Sequence, residues 1–297
     1  MSSLVSIPGI LDVEIIRGAR AHPDIDLLIE IPHGATQTND YTRLAARLTS
    51  PLPAALVEFF HVNTDAGAPE LAVGTAKHFV AAEPTRTVAI LRCRIPRTFI
   101  DCNRRVDASP EDFKTGKVTP GLMPWITSPE DRALLRAAYD RYVGAVREAA
   151  SRLADDGAIL LLHSYAPRTV EVEVDLDIVK SLRAAYRPET VPTWPLRPDL
   201  DVIGKTLEGV SHAPAAVVDE LRRLLPELTV GDSATYPLHP STLAWDHVMA
   251  RPGRALCLEV RRDLLADPFE PFAEMKIGAS KVDRLSVPLA AALRRWW

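Results

Sequence analysis

Short continuous apolar runs alternate with longer stretches of helical periodicity along this chain. Asp26–Ile31 (Asp-Leu-Leu-Ile-Glu-Ile), Val88–Leu91, Ala158–Leu162 and Ala255–Val260 are rich in Leu, Ile and Val. Each runs into polar residues at its C-terminal end. Runs of this length and kind predict strands covered on both faces. Ser128-Pro129-Glu130-Asp131 is a helix start, with Ser as N-cap, Pro at the first position and acids in the first turn. Apolar residues then recur at helical spacing from Leu135 to Leu153, and Asp156-Gly157 is expected to end that helix. Asp40–Leu48, Glu70–Ala76, Pro214–Leu225 and Ser280–Trp296 also read as helices, the last one kinked or divided at Pro288.

Strands alternating with helices predict an α/β fold, with a parallel or mixed central sheet covered by helices on both faces. Ligands bind such sheets beyond the carboxyl ends of the strands. Tyr186–Asp201 breaks the pattern with Pro188, Pro192, Pro195 and Pro198 around Trp194. It reads as an irregular loop or lid inside a single catalytic domain spanning residues 1–297, because chemistry-bearing residues flank it on both sides.

Composition narrows the function classes. The chain has 297 residues, 47% of them hydrophobic, and a formal net charge of -4. That length supports a sizeable core, and the charge gives no support to nucleic-acid or anionic-membrane binding. No uncharged apolar run approaches the ~20 residues of a membrane span. The N-terminus lacks a basic segment, and Asp12 and Glu14 interrupt its apolar stretch, so no signal peptide and a cytoplasmic location are expected. Cys93, Cys102 and Cys257 form no C-x-x-C pair and read as buried free thiols.

Five polar patches sit where strands should end: Ile31-Pro32-His33-Gly34, Asn63-Thr64-Asp65-Ala66-Gly67, Arg97 to Arg104, Leu161-Leu162-His163-Ser164-Tyr165, and Leu258-Glu259-Val260-Arg261. His33 and His163 with Asp65 match a catalytic zinc set of two neutral imidazoles and a carboxylate, with a fourth position left for water. Taken alone, Asp65 reads first as a turn or N-cap residue. Glu259 lies in an apolar strand, where an unpaired carboxylate is unfavourable. It is either a general base or the ion-pair partner of Arg261 or Arg262, Arg261 sharing its face of a regular strand. Arg97, Asn103 and Arg104 suit a carboxylate clamp, with surface salt bridging as the plainer alternative. Tyr165, His239 and His247 are further candidate pocket residues, and Arg261 a candidate substrate contact.

Pro32-His33-Gly34, Thr64-Asp65-Ala66-Gly67-Ala68, Arg97 with Ile100-Asp101-Cys102-Asn103-Arg104, His163-Ser164 and Leu258-Glu259-Val260-Arg261-Arg262-Asp263-Leu264 resemble, in that order, the N-formylglutamate amidohydrolase family. More distantly they resemble the zinc carboxypeptidase and aspartoacylase class. The resemblance implies a three-layer phosphorylase/hydrolase-like fold. It implies one Zn2+ per chain held by His33, Asp65 and His163, and Glu259 as general base. Asn103 and Arg104 would bind the substrate carboxylate, and Arg97 would stabilise the oxyanion. The larger class carries its carboxylate ligand three residues after the first histidine. That position is Thr36 here, which leaves Glu30, Glu58, His61 and Glu70 as rivals to Asp65. The family commonly has Ser where this chain has Gly34. The expected activity is hydrolysis of an N-acyl, possibly N-formyl, acidic amino acid or similar carboxylate. A carboxypeptidase-type peptidase and a non-catalytic binding descendant are the alternatives.

Overall fold

The computed structural model describes residues 4–116 and 119–297; Met1–Ser3 of the N-terminal stretch read above lie outside them. Seven strands form one mixed sheet: β1 (Leu11–Arg17), β2 (Ile25–Ile31), β3 (Thr87–Cys93), β4 (Leu153–Tyr165), β5 (Leu200–Val202), β6 (Val230–Asp232) and β7 (Ala255–Arg261). Their order is β1-β3-β2-β4-β7-β5-β6. The central four, β3, β2, β4 and β7, are mutually parallel. β1 joins one side and β5 the other as antiparallel neighbours, with β6 parallel to β5. The helices are α1 (Thr38–Ala45), α2 (Leu56–Asn63), α3 (Ala68–Ala82), α4 (Pro110–Thr115), α5 (Pro129–Ala150), α6 (Ile178–Ala185), α7 (Ala215–Leu224), α8 (Leu243–Ala250) and α9 (Ala279–Leu293).

Residue parity along each central strand assigns the two faces. Leu28, Ile159, Leu161 and Cys257 pack with α2, α5, α6 and α8. Leu27, Ile29, Leu160, Leu162, Leu256 and Leu258 pack with α3, α7 and α9. This double covering is why the strands read as unbroken apolar runs. The fold is therefore the α/β class expected, with a mixed sheet between two helical layers. Among the described residues, no helix is long and apolar enough to cross a membrane.

Three local expectations are corrected. The helix begun at Ser128 stops at Ala150, and Leu153, read as its last apolar position, opens β4. Ala149 and Leu153 are both buried, so burial continues across the junction and the pattern alone cannot mark the boundary. Pro288 does not divide α9, which continues through it to Leu293. The proline-rich stretch is not wholly irregular: Val191–Thr193 forms a 3-10 turn and its end enters the sheet as β5.

One buried ionic cluster ties the first helical layer to the sheet. Glu30 on β2 points to the α5/α8 face. It accepts a hydrogen bond from Tyr142 Oη at 2.7 Å and pairs with His247 Nε2 at 2.9 Å. Burial alone would raise the Glu30 carboxyl, but His247 and Tyr142 outweigh it and hold it below its ordinary range. Burial likewise opposes a charge on His247, and Glu30 overcomes this to raise the imidazole above 6.5. Glu30's contribution to stability is thus present above its unfolded value and lost as pH falls through its depressed folded value. His247's is full below 6.5 and lost as pH rises through its raised folded value. We predict that melting temperature falls as pH rises through that range. In His247→Gln that alkaline decline should shrink, with stability lower by about 3–5 kcal/mol from the stranded carboxylate. Thermal melts of both proteins across pH measure this; identical pH profiles would remove the pair from the account.

Candidate metal centre

β2, β4 and β7 deliver their polar C-terminal residues to one end of the sheet, on the face that packs α2, α5, α6 and α8. His33 follows β2 by two residues. His163 lies in β4, where its register partner on β7 is Glu259. Parallel pairing of these two strands is what sets an imidazole beside a carboxylate nearly a hundred positions away. Asp65 comes from the turn between α2 and α3. That turn needs Gly67, whose φ is +87° and where a Cβ would fall 2.6 Å from Leu265 Cβ. Gly34 also has a local cause. A Cβ there would lie 2.6 Å from Arg92 Cγ, and Arg92 Nε donates to Gly34 O at 2.7 Å. Any side chain at this position would have to displace that arginine.

His33, Asp65 and His163 are buried, and one ligand atom from each lies within 4.8 Å of the others. His163 Nδ1 is 2.9 Å, and His33 Nδ1 3.3 Å, from the same oxygen, Asp65 Oδ2. On the other side of His33, Nε2 is 2.7 Å from Asp101 Oδ1. A carboxylate only accepts, so this bond puts the His33 proton on Nε2. The Nδ1 lone pair then faces the Asp65 carboxylate, two acceptors converging on one point, with Arg97 Nη1 3.4 Å from Nδ1 as a further positive neighbour. The donor set fits a divalent metal ion on that ground. Burial would raise the Asp65 carboxyl; when the two imidazoles carry protons toward it, their charge outweighs burial and lowers it.

The rival ligands are engaged elsewhere. Glu30 pairs with His247, and Glu58 takes a fork of hydrogen bonds from Arg183. His61 Nε2 lies 3.4 Å from Thr38 Oγ1, and Glu70 lines a separate surface groove. Among the described residues, His33, Asp65 and His163 form the one group of His, Cys, Asp or Glu side chains arranged to hold a metal.

Asp101 was quoted in the sequence motif but given no role. It is fully buried, and besides His33 it accepts from Asn103 N at 2.8 Å. Its Oδ2 lies 3.1 Å from Arg97 Nη2 and 3.7 Å from Arg104 Nη2. It therefore orients one candidate ligand and two of the three residues of the expected clamp. The sequence signal was present, a carboxylate directly after the apolar pair Phe99-Ile100, but nothing in it names the partners.

Glu259 and Arg97, Asn103, Arg104 and Tyr165 line one cavity of about 220 Å3 together with the three candidate ligands. Glu259 Oε2 is buried without a hydrogen-bond partner. Neither arginine considered as its partner pairs with it. Arg261 binds Asp199 at 2.9 Å and Asp263 at 2.8 Å, and Arg262 donates to Val62 O at 2.7 Å. Burial pushes the Glu259 carboxyl up to about 7, against the opposing pull of His163. Asn103 Nδ2 is 3.5 Å from His163 Nε2 and its Oδ1 accepts from Ala244 N.

Arg261 does not line the cavity: it stays in register with Tyr165 as the last residue of β7, but its guanidinium is held by Asp199 and Asp263, and Arg262 lines the cavity. His239 and His247 are also outside the lining. Tyr165 contributes a ring face, since its hydroxyl donates to Pro198 O at 2.7 Å. The reading also missed Arg168, just after β4, and Arg197 and Tyr236, from the segments around β5 and β6, all of which line the cavity. Arg197 stacks between Tyr165 and Tyr236, 4.9 and 5.5 Å from their ring centres.

Comparison with known proteins bears on this geometry. The model of the N-formylglutamate amidohydrolase family matches residues 25–266. Among solved structures, N-formylglutamate amidohydrolase from Ralstonia eutropha JMP134 is similar in fold, with a TM-score of 0.54 at 18% identity over 95% of this chain and 98% of that one. A metallo-carboxypeptidase from Burkholderia cenocepacia gives a weaker likeness, with a TM-score of 0.39 at 15% identity over 95% of this chain and 60% of that one. No curated protein matches the chain.

If Asp101 holds His33 in its ligand tautomer, Asp101→Ala should weaken metal binding by roughly ten- to hundredfold. Titrating the metal-stripped protein with zinc against a competing chelator measures this. Unchanged affinity in a folded variant would sink the orienting role.

Proposed function

The chain belongs to the N-formylglutamate amidohydrolase family, and from that premise we propose that it is a zinc-dependent amidohydrolase cleaving the amide bond of an N-acyl acidic amino acid or similar carboxylate. The observation that carries this reading is the Glu259 carboxylate. It is buried in the cavity with an unpartnered oxygen and a pKa near 7, and it is the strand-register partner of a candidate metal ligand. A structural carboxylate would have a partner. A general base needs a lone pair kept free and a proton affinity near the working pH.

His33, Asp65 and His163 would hold the zinc, which when bound supplies a Lewis acid and lowers the pKa of water. Glu259 takes the proton from the attacking water and passes it to the nitrogen of the leaving amine, so one carboxylate serves both half-reactions. Arg97 lies along the triad, its Nη1 3.4 Å from His33 Nδ1 and 4.0 Å from Asp65 Oδ1. It is placed to stabilise negative charge developing on the scissile carbonyl oxygen. Burial opposes its charge, but Asp101 and Asp65 overcome this and keep the guanidinium protonated. Asn103 and Arg104 anchor the substrate carboxylate. Burial and the neighbouring Arg97 lower the Arg104 pKa, Asp101 offsetting them in part, so an incoming carboxylate meets a cation with charge to spare. A cavity of about 220 Å3 suits an amino-acid-sized ligand, which favours an N-acyl amino acid over a long peptide. The whole chain acts as one catalytic domain, with the proline-rich segment supplying Arg197 to the cavity wall.

Glu259→Gln should keep its zinc and lose roughly 10²–10⁴-fold in kcat. Metal analysis beside release of formate from N-formylglutamate, or of the acid from other N-acyl glutamates, checks both halves; wild-type turnover in the variant would rule out the base. Arg104→Ala should raise KM for a carboxylate substrate by roughly ten- to hundredfold, the worth of a charge-assisted hydrogen bond. An equal rise for an uncharged amide would show that Arg104 does not read the carboxylate.

A further inference from the structure

Asp65 is the candidate ligand that no strand carries. His33 follows β2 by two residues and His163 lies within β4, whereas Asp65 sits in the turn between α2 and α3. A side chain on a turn is placed only as well as the turn itself is held. Part of what holds this one is apolar: Gly67 lies against Leu265, and Ala66 packs with Ala266 and Met275. Apolar contact has no preferred direction. The directional contacts are hydrogen bonds to the two segments that bring the imidazoles. Thr64 Oγ1 donates to Ala35 O at 2.5 Å, tying the turn to the loop that carries His33. Ser164 Oγ donates to Ala66 O at 2.8 Å, tying the turn to the end of β4, one residue after His163. Asp65 N adds a longer bond to His33 O at 3.4 Å.

Both hydroxyl residues are buried. Among the described residues, each hydroxyl is the one hydrogen-bond donor to its carbonyl. Opening either bond would strand a buried acceptor, which costs more than the bond itself is worth. Thr64 is also fixed from behind: its N–H donates to Phe60 O at 3.0 Å, and its branched side chain has few rotamers to leave for. The two bonds grip the turn at Thr64 and Ala66, the residues directly before and after Asp65. We propose that Thr64 and Ser164 are positioning residues of the metal centre, whose hydroxyls clamp the Asp65 turn to the His33 and His163 segments and set the spacing of the three ligands before a metal binds. This rests on the reading of His33, Asp65 and His163 as a metal site and deepens it. The role differs from that of Asp101, which orients the His33 ring; Thr64 and Ser164 hold one stretch of backbone against another. Freedom that the turn has already lost on folding is not lost again on metal binding, so the clamp acts on affinity.

The test reads metal binding, not turnover. Titration of the metal-stripped protein against a competing chelator gives the zinc affinity, and thermal melts with and without zinc give the stabilisation the metal adds. Thr64→Val and Ser164→Ala each remove one hydroxyl. Each should weaken zinc binding roughly ten- to hundredfold and shrink the zinc-induced rise in melting temperature. Thr64→Ser keeps the hydroxyl and should retain most of the affinity. The visible bands of the cobalt-loaded protein, which report the arrangement of the ligands, should change in Thr64→Val and Ser164→Ala and stay as in the wild type in Thr64→Ser. A hydroxyl that serves only the fold would lower the melting temperature of the metal-free and zinc-loaded forms alike. That pattern, with zinc affinity unchanged, would overturn the proposal, as would a Thr64→Ser that binds zinc as poorly as Thr64→Val. If Thr64→Val does not fold, Ser164→Ala carries the same test, and wild-type zinc affinity in it overturns the clamp. The metal reading fails separately: a wild-type protein that takes up neither zinc nor cobalt would remove the metal centre, and the clamp with it. Zinc binding that weakens in the variants, with no N-acyl amino acid hydrolysed by the wild type, would leave the clamp standing and remove the activity.

Discussion

The burial of Asp101 constrains the rest of the site. A carboxylate with no exposure needs compensating charge, and this one takes hydrogen bonds from His33 Nε2 and Asn103 N on Oδ1 and ion pairs from Arg97 and Arg104, 3.1 and 3.7 Å from Oδ2. Burial would raise its pKa, but Arg104, His33 and Arg97 hold it well below the carboxylate range. Its charge is therefore permanent at physiological pH, and so are the orientations it imposes. One side chain fixes the tautomer of a candidate metal ligand and the headings of two arginines in the cavity. Each of those groups would otherwise have rotamer freedom to lose on binding.

A second constraint is the parallel pairing of the central strands. It brings the C-terminal ends of β2, β4 and β7 side by side, so residues from distant parts of the chain meet at one edge. Strand parity then sends His163, Glu259 and Tyr165 to the face covered by α2, α5, α6 and α8. The opposite face carries only packing. Glu30 and His247 lie on the functional face too, but their mutual ion pair removes them from the cavity. The same face thus holds a satisfied ionic cluster in its core and an unsatisfied one at its rim. The difference separates structure from chemistry: Glu30 has an ion pair with His247 and a hydrogen bond from Tyr142, and among the described residues Glu259 has no ion pair.

Much of this was legible along the chain. Apolar runs that end in polar residues identified the central strands, because a strand buried on both faces cannot hide its composition. Ser128-Pro129-Glu130-Asp131 marked a helix start, because capping is a local hydrogen-bond requirement that its own residues meet. The order of the five polar patches pointed to the family and to His33, Asp65 and His163 as a set. What misled was continuity of burial: Leu153 continued a helical apolar pattern while opening a strand, and Pro288 did not interrupt α9.

Ion-pair partnership was decided by tertiary structure alone. Glu259 and Arg261 are two residues apart in one strand, and from the chain their pairing looked as good as catalysis. Only the approach of Asp199 from the segment leading into β5, and of Asp263 from the turn at Arg262, takes Arg261 away. Arg262, the other partner the chain offered Glu259, is turned by the fold to the carbonyls of Val62 and His61 instead. The sequence determines which side chains carry charge and which segments must be buried, since those are properties of residues and their neighbours. It does not determine which charges compensate each other, because Coulomb attraction and desolvation depend on distances that exist only once the sheet has assembled.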